Sequence, residues 1–572
     1  MSEPRQTASG VAGSRTGVTG ILLLLTGLAA LGVAAAGVLS FRLIGDHPPH
    51  AGARPAPAEA GERPHPEPVA QPAPPKPVTG AELYAGHCAA CHGDKGDGLG
   101  PAARFLYPKP RNFREAKFRV VSTANSRPSD EDLLNVITRG MPGSAMIPFG
   151  HLSEQDRRAL VAHVRLLTRT GIVEVMAKRL ADEGEDVDPA ELARRADRLL
   201  QPGDPYLPPA GFPPADPGSV ARGEKLYQAT CASCHGKTGK GDGGQDQRDE
   251  DGTPTRPRDL TRGIYKGGRD PRQLYARIML GMPGTPMPSH TIALKPADAG
   301  DVINFILSLS DQSAQTKVEH KRTALVAKRV ADPLPDEIPD AVWGAAPAVA
   351  IVTSPLWWRE YPDPELAVAA VHDGRTLAVR LTWRDASRND AVVRPEDFED
   401  MAAVQLYKGG PEPFLGMGSE AGHIDLWQWR AGRTRDAALA NSKLDDYPFD
   451  APQYPGLLRD KAKLPPDQFT ARAAGNQLAG ADVTGGASSL TAKGVGSTTM
   501  RPRASQTVTA KAAWKDGRWT VVLRRPLAVG AGDGIGLAPG DRCSVAFALW
   551  DGAARDRNGQ KLVTIWHDLA VE

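Results

Sequence analysis

At 572 residues the chain is long enough for about three or four domains, and its formal charge of +2 is close to neutral. That balance gives no bulk electrostatic basis for binding nucleic acid. Sixty glycines and 51 prolines predict several linkers and many turns.

No charged residue lies between Arg15 and Arg42, and Gly17 to Phe41 is rich in Leu, Ala, Gly and Val. This stretch exceeds the roughly 20 apolar residues that a helix needs to cross a bilayer. It reads as a transmembrane helix over 17–41 behind a cytoplasmic tail at 1–16. Ala34-Ala35-Ala36 keeps open the alternative of a cleaved signal peptide. Residues 45–79 are Pro/Ala-rich, cannot bury a core, and read as an extended spacer.

Two five-residue runs then share one pattern: Cys88-Ala89-Ala90-Cys91-His92 and Cys231-Ala232-Ser233-Cys234-His235. C-x-x-C-H is the attachment site of a c-type haem, in which the two thiols form thioethers and the adjoining His reaches the iron. The flanking sequence repeats as well. Gly80-Ala-Glu-Leu-Tyr84 matches Gly223-Glu-Lys-Leu-Tyr227, and Pro110-Arg111 matches Pro257-Arg258. Gly140-Met141-Pro142-Gly143-Ser144-Ala145-Met146 matches Gly281-Met282-Pro283-Gly284-Thr285-Pro286-Met287. Each copy ends in an apolar-periodic helix. Two tandem helical domains follow, at 80–170 and 219–311, with a connector at 171–218.

His92 and His235 are the expected proximal iron ligands. Met146 and Met287 are the expected sixth ligands; Met141, Met282, His151 and His290 are the alternatives. A soft thioether raises the reduction potential, and a filled sixth position suits electron carriage rather than substrate chemistry. Arg111 and Arg258 recur at equivalent places and are candidates to pair with haem propionates. These two regions resemble the class I cytochrome c family, which implies a small all-α fold with one exposed haem edge.

After about Ser310 the texture changes. A charged piece, Lys317 to Val330, reads as helical. Short alternating runs follow: Leu366–Val371, Thr376–Trp383, Ala402–Tyr407, His423–Trp429, Thr507–Trp514, Trp519–Leu523, Ser544–Trp550 and Leu562–Trp566. All ten tryptophans lie after residue 340. The pattern predicts an antiparallel β-sandwich over 320–572. The expected fold is therefore multidomain: a transmembrane helix, two all-α cytochrome c domains and the sandwich. Cys543 sits in an apolar run and reads as a small buried hydrophobe.

Pro411-Glu-Pro-Phe-Leu-Gly-Met417-Gly418, His423-Ile-Asp-Leu-Trp427-Gln-Trp429 and Ala492-Lys493-Gly494-Val-Gly496 resemble the haem-binding subunit of ethylbenzene dehydrogenase. The same family includes the matching subunits of dimethyl sulfide dehydrogenase, selenate reductase and chlorate reductase. The resemblance implies one noncovalent b-type haem held between the sheets by a Met and a Lys. Met417 and Lys493 fall in the matching segments; Met500, Lys561 and His423 are the rivals.

The expectation is a multihaem electron-transfer protein with two covalent c haems and one b haem. It would relay electrons between iron–sulfur and molybdenum subunits and the respiratory chain, a soluble cytochrome or a quinol-oxidising complex. Covalent haem attachment occurs outside the bacterial cytoplasm, which would place the bulk of the chain in the periplasm, anchored in the inner membrane by the N-terminal helix. The other readings are a dihaem enzyme, such as a peroxidase or sulfur-compound oxidase, and a dihaem cytochrome with a C-terminal docking module.

Overall fold

The computed structural model describes residues 78–434 and 484–572, apart from 187, 209–210, 312, 314–317, 360–364, 393–395 and 421. The segment 17–41 lies outside the described residues. Among the described residues no helix is long and apolar enough to cross a membrane.

The first helical domain comprises α1 (Gly80–His87), α2 (Ala89–His92), α3 (Asp130–Arg139) and α4 (Glu154–Asp182). Local sequence sets each start. Thr79 and Glu82 form a capping box on α1, Ser129 and Asp132 form one on α3, and Ser153 caps α4. Helix α3 stops at Gly140, whose φ of 66° a side chain rarely tolerates. Leu160, Val161, Val164 and Thr168 form one buried face of α4. Burial of each such Leu or Val contributes roughly 1.5–3 kcal/mol. Helix α4 runs well past residue 170, and α5 (Pro189–Leu200) folds back on it, with Arg169 bidentate to Asp197 at 2.6 and 3.1 Å.

The second helical domain repeats the plan with α6 (Pro217–Thr230), α7 (Ala232–His235), α8 (Pro271–Leu280) and α9 (Pro296–Ser308). It adds a short hairpin, β1 (Gln247–Arg248) and β2 (Pro254–Thr255). The first and last helices of each copy cross at a glycine. A Cβ on Gly80 would overlap the Ala159 carbonyl, and one on Gly223 would overlap the Asp301 carbonyl.

The remaining strands are β3 (Ala324–Arg329), β4 (Val349–Val352), β5 (Ser354–Pro355), β6 (Glu365–His372), β7 (Thr376–Arg384), β8 (Met401–Tyr407), β9 (Ile424–Arg430), β10 (Ala487–Ala492), β11 (Thr499–Met500), β12 (Thr509–Lys515), β13 (Arg518–Pro526), β14 (Arg542–Trp550), β15 (Leu562–Val563) and β16 (His567–Val571). They form one 14-stranded sheet whose main path runs β11-β10-β9-β8-β14-β16-β3-β6-β7-β13-β12. This corrects the expected antiparallel sandwich. The sheet is mixed, because β3 enters between β16 and β6 and pairs parallel with both. The charged run before residue 330 is accordingly a strand over Ala324–Arg329. Leu325 and Ala327 are buried while Ala324 and Val326 are exposed, a period of two.

One face of the sheet encloses the main core, where Trp383, Trp427, Trp429 and Trp519 meet. The Trp429 and Trp519 rings lie 4.9 Å apart, near edge-to-face. Cys543 is buried in the same core, and burial pushes its thiol up to about 12.

Asp385 after β7, Asp400 before β8 and Asp551 after β14 bring their carboxylates within 4.8 Å of one another. Burial and then the neighbouring Asp400 raise Asp385 to about 7; burial raises Asp400 to about 6. An ordinary Asp titrates near 3.9. The folded chain therefore holds protons that the unfolded chain has released. This contribution to stability is present below about pH 4 and is lost as pH rises through 6 and 7. We expect the melting temperature of the β domain to fall between pH 5 and 8, and Asp385→Asn to flatten that slope. A slope unchanged in Asp385→Asn would sink the assignment.

Candidate haem sites

In both helical domains the C-x-x-C-H run bends from the first helix into a single helical turn. Cys88 and Cys231 cap the first helix through their backbone N–H. The Tyr84 hydroxyl donates to the Gly93 carbonyl at 2.8 Å, and the Tyr227 hydroxyl to the Gly236 carbonyl at 2.9 Å. Each anchors the loop just past the histidine. His92 Nδ1 lies 3.0 Å from the Arg111 carbonyl, and His235 Nδ1 lies 3.3 Å from the Arg258 carbonyl. A carbonyl only accepts, so Nδ1 carries the proton and Nε2 is left bare for a metal. The His92 ring also stacks on Phe113 at 4.5 Å.

The two methionine loops are near copies. Met141 N–H donates to the Met146 carbonyl at 2.9 Å, and Met282 N–H to the Met287 carbonyl at 3.1 Å. Ser144 and Thr285 fill the same place, each hydroxyl donating to the preceding Met carbonyl. Met146 and Met141 both face the cavity that His92, Cys88 and Cys91 line. His151 stays off that wall and lies against His87 and Phe149. His290 Nδ1 is 3.0 Å from the Ile278 carbonyl.

That cavity, about 910 Å³, continues onto the face of the β-sheet opposite the tryptophan core. Strand alternation builds the wall. Met401, Ala403 and Gln405 of β8 face it, as do Leu426, Gln428 and Arg430 of β9, and Ala546, Ala548 and Trp550 of β14. Their alternate neighbours Ala402, Val404, Trp427, Trp429, Val545 and Leu549 fill the core. Alanines in mid-strand keep this wall low. Phe105, Leu106 and Pro108 of the first helical domain close the other side. The space for a flat group thus lies between the sheet and the first cytochrome-like domain, not between two sheets.

Met417 and Lys561 meet in this space, with Lys561 Nζ 3.7 Å from Met417 Sδ. Met417 has φ of 87°, costly for a side chain other than glycine. Its carbonyl accepts from Gly494 N–H at 2.9 Å, which helps hold the turn. Lys561 is buried, lies 4.8 Å over the Trp550 ring, and is lowered by burial to about 8. A lysine binds iron only as the neutral amine, and a buried amine that among the described residues faces a soft sulfur and makes no hydrogen bond to oxygen fits such a pair. Its backbone is tied to the first helical domain: Leu356 N–H donates to the Lys561 carbonyl, and Tyr107 N–H to the Leu356 carbonyl.

Lys493, the lysine expected from the Lys-Gly-x-Gly segment, is elsewhere. Its side chain is 52% exposed and sits 3.4 Å from a Glu420 carboxylate oxygen. Glycines 494 and 496 take φ of 143° and 82°, and that turn leaves the preceding lysine in solvent. His423 is exposed, and Met500 packs half-buried beside the apolar cluster of Ile424 and Leu490. The sequence signal for Lys561 was its place directly before the apolar pair Leu562-Val563, at the mouth of a strand.

Comparison with known proteins follows this layout. Residues 75–164 match the model for cytochrome c oxidase, cbb3-type, subunit III, and residues 220–310 match that for cytochrome c. Residues 340–562 match the ethylbenzene dehydrogenase model. The dimethylsulfide dehydrogenase subunit gamma of Rhodovulum sulfidophilum is 27% identical over 242 residues, 40% of this chain and 73% of that protein. The chlorate reductase subunit gamma of Ideonella dechloratans is 29% identical over 208 residues, 36% of this chain and 64% of that protein. Among solved structures, the Kuenenia stuttgartiensis reducing HAO-like protein complex Kustc0457/Kustc0458 is 32% identical, covering 41% of this chain and 99% of that one, with a TM-score of 0.33. The chain thus joins two tandem cytochrome c domains to a domain that resembles the gamma subunits of ethylbenzene dehydrogenase and related type II enzymes of the DMSO reductase family.

Proposed function

We propose that this electron-transfer protein holds three haems in a fixed order of sites. Cys88, Cys91, His92 and Met146 hold the first c haem; Cys231, Cys234, His235 and Met287 hold the second. Met417 and Lys561 hold a b haem. When bound, the haems supply one-electron carriage, with potentials tuned by axial ligand and burial. The observation that carries the order is the single cavity lined by both His92 with Met146 and Met417 with Lys561. The β-domain site is next to the first cytochrome site, and the second cytochrome domain follows.

The chain's residues position these groups and exclude water from the sheet face. The matched methionine loops offer a thioether in each cytochrome domain, which weighs against a dihaem enzyme, whose chemistry needs an open iron position. We take the partners to be iron–sulfur and molybdenum subunits on one side. On the other stands a soluble cytochrome or quinol-oxidising complex, in the bacterial periplasm. Pyridine haemochrome spectra before and after acid–acetone extraction test the reading. Two haems that stay with the protein and one that leaves are expected. A protein with no extractable haem would remove the β-domain site from the account.

A further inference from the structure

The two cytochrome domains meet through reciprocal contacts that the repeat itself generates. Arg111 of the first domain lies against Gly284 in the second domain's methionine loop, where an added Cβ would sit 3.0 Å from its Nη1. The equivalent Arg258 of the second domain lies against Gly143 in the first domain's loop, its Nη1 3.4 Å from the Gly143 carbonyl. A second matched pair accompanies them. Arg119 stands eight residues after Arg111, and Lys266 stands eight residues after Arg258.

These four cations are close enough to act on one another. Lys266 feels Arg258, Arg119 and Arg111, and Arg258 feels Arg119. Asp249, Asp251 and Glu115 act on Arg111 and Asp259 acts on Arg258, but among the described residues only Asp249 makes an ion pair with one of the four cations. Arg119 pairs with Asp249, their side chains 11% and 5% exposed, and that carboxylate is thereby engaged. Arg119 Nε is also buried without a hydrogen-bond partner. Among the described residues Arg111, Arg258 and Lys266 have no ion pair. Gathering like charges away from water is costly unless anions join them.

The walls say which anions. Arg111, Arg119 and Lys266 all line the cavity that also holds His92, Cys88, Cys91 and Met146. Lys266 belongs to the other domain. A c-type haem presents two propionate carboxylates on one edge. Two haems therefore bring four carboxylates, matching two symmetry-related pairs of cations.

We propose that the propionates of both c haems converge on this seam, and that each is neutralised by cations of the opposite domain as well as its own. The inference rests on covalent haem at both C-x-x-C-H motifs. Its consequence is electrostatic coupling: a charge removed at the seam is felt by both irons. Arg258 and Lys266 are positioning residues here, acting on the haem through its carboxylates and not on the iron.

The test is a spectroelectrochemical titration of the full haem-loaded chain and two variants, Lys266→Gln and Arg258→Gln. Loss of a nearby cation favours ferric iron. Both c-haem midpoints should fall in each variant, each by about tenfold in the one-electron equilibrium, or about 59 mV. Lys266→Arg and Arg258→Lys should restore most of the shift. The shift should persist at 1 M salt, where the Debye length is about 3 Å, because the seam is shielded. Movement of only one midpoint, or a shift abolished by salt, would overturn the shared seam. Haemochrome spectra on the same samples separate the two claims. A wild-type chain with fewer than two covalent haems would instead refute the haem assignment on which the inference rests.

Discussion

Lys561→Ala is expected to abolish the acid-extractable haem while leaving both covalent haems in place, whereas Lys493→Ala is expected to leave all three. The contrast follows from position. Lys561 Nζ is 3.7 Å from Met417 Sδ inside the cavity, and Lys493 is half in solvent beside Glu420. Removing Lys561 deletes the amine donor and leaves the thioether of Met417 unopposed. Met417→Ala should act in the same direction. The check is the haem content of the acid–acetone extract, with the covalent c-haem spectrum of the residue as internal control. Loss of extractable haem in Lys493→Ala, with retention in Lys561→Ala, would reverse the assignment.

The second large effect concerns the cytochrome sites. Cys88→Ala with Cys91→Ala should reduce covalent haem from two per chain to one. It should also weaken retention of the b haem, because both sites open into one cavity and the first domain supplies Phe105, Leu106 and Pro108 to its far wall. Cys231→Ala with Cys234→Ala should remove the other covalent haem yet spare the b haem. None of those thiols lines the shared cavity. Quantitative haemochrome spectra of both double variants decide the matter. Equal b-haem loss in the two would mean that the second domain, too, closes the β-domain site.

The motifs that build the candidate cytochrome sites are legible in the sequence because they are local. The C-x-x-C-H runs and the two methionine loops are each encoded within a few residues, and duplication makes each visible twice. Strand identity was also legible. Each of the eight alternating runs overlaps an observed strand, with β8 and β9 shifted by one residue at most at either end. Strand order was not. The parallel insertion of β3 between β16 and β6 is a long-range pairing, and six residues with two buried positions give no hint of their neighbours. The burial of the two candidate lysines is hidden for the same reason. Lys493 has the better local motif, but burial belongs to Lys561 and is decided by which strands come together. Arg111 and Arg258 form a repeated pair in the sequence, yet only the packing of one domain on the other shows that each reaches across.

The wall that the first cytochrome domain lends to the β-domain cavity has a consequence for modularity. The tie from Tyr107 through Leu356 to the Lys561 carbonyl makes this wall part of the lysine's own support. A β domain cut away from its cytochromes would keep Met417 and Lys561 but present them in an open trough. In the intact chain the covering domain and the sheet it covers belong to one polypeptide, so their contact is intramolecular. Closure of the pocket is therefore independent of dilution. No subunit exchange can separate the lid from the vessel.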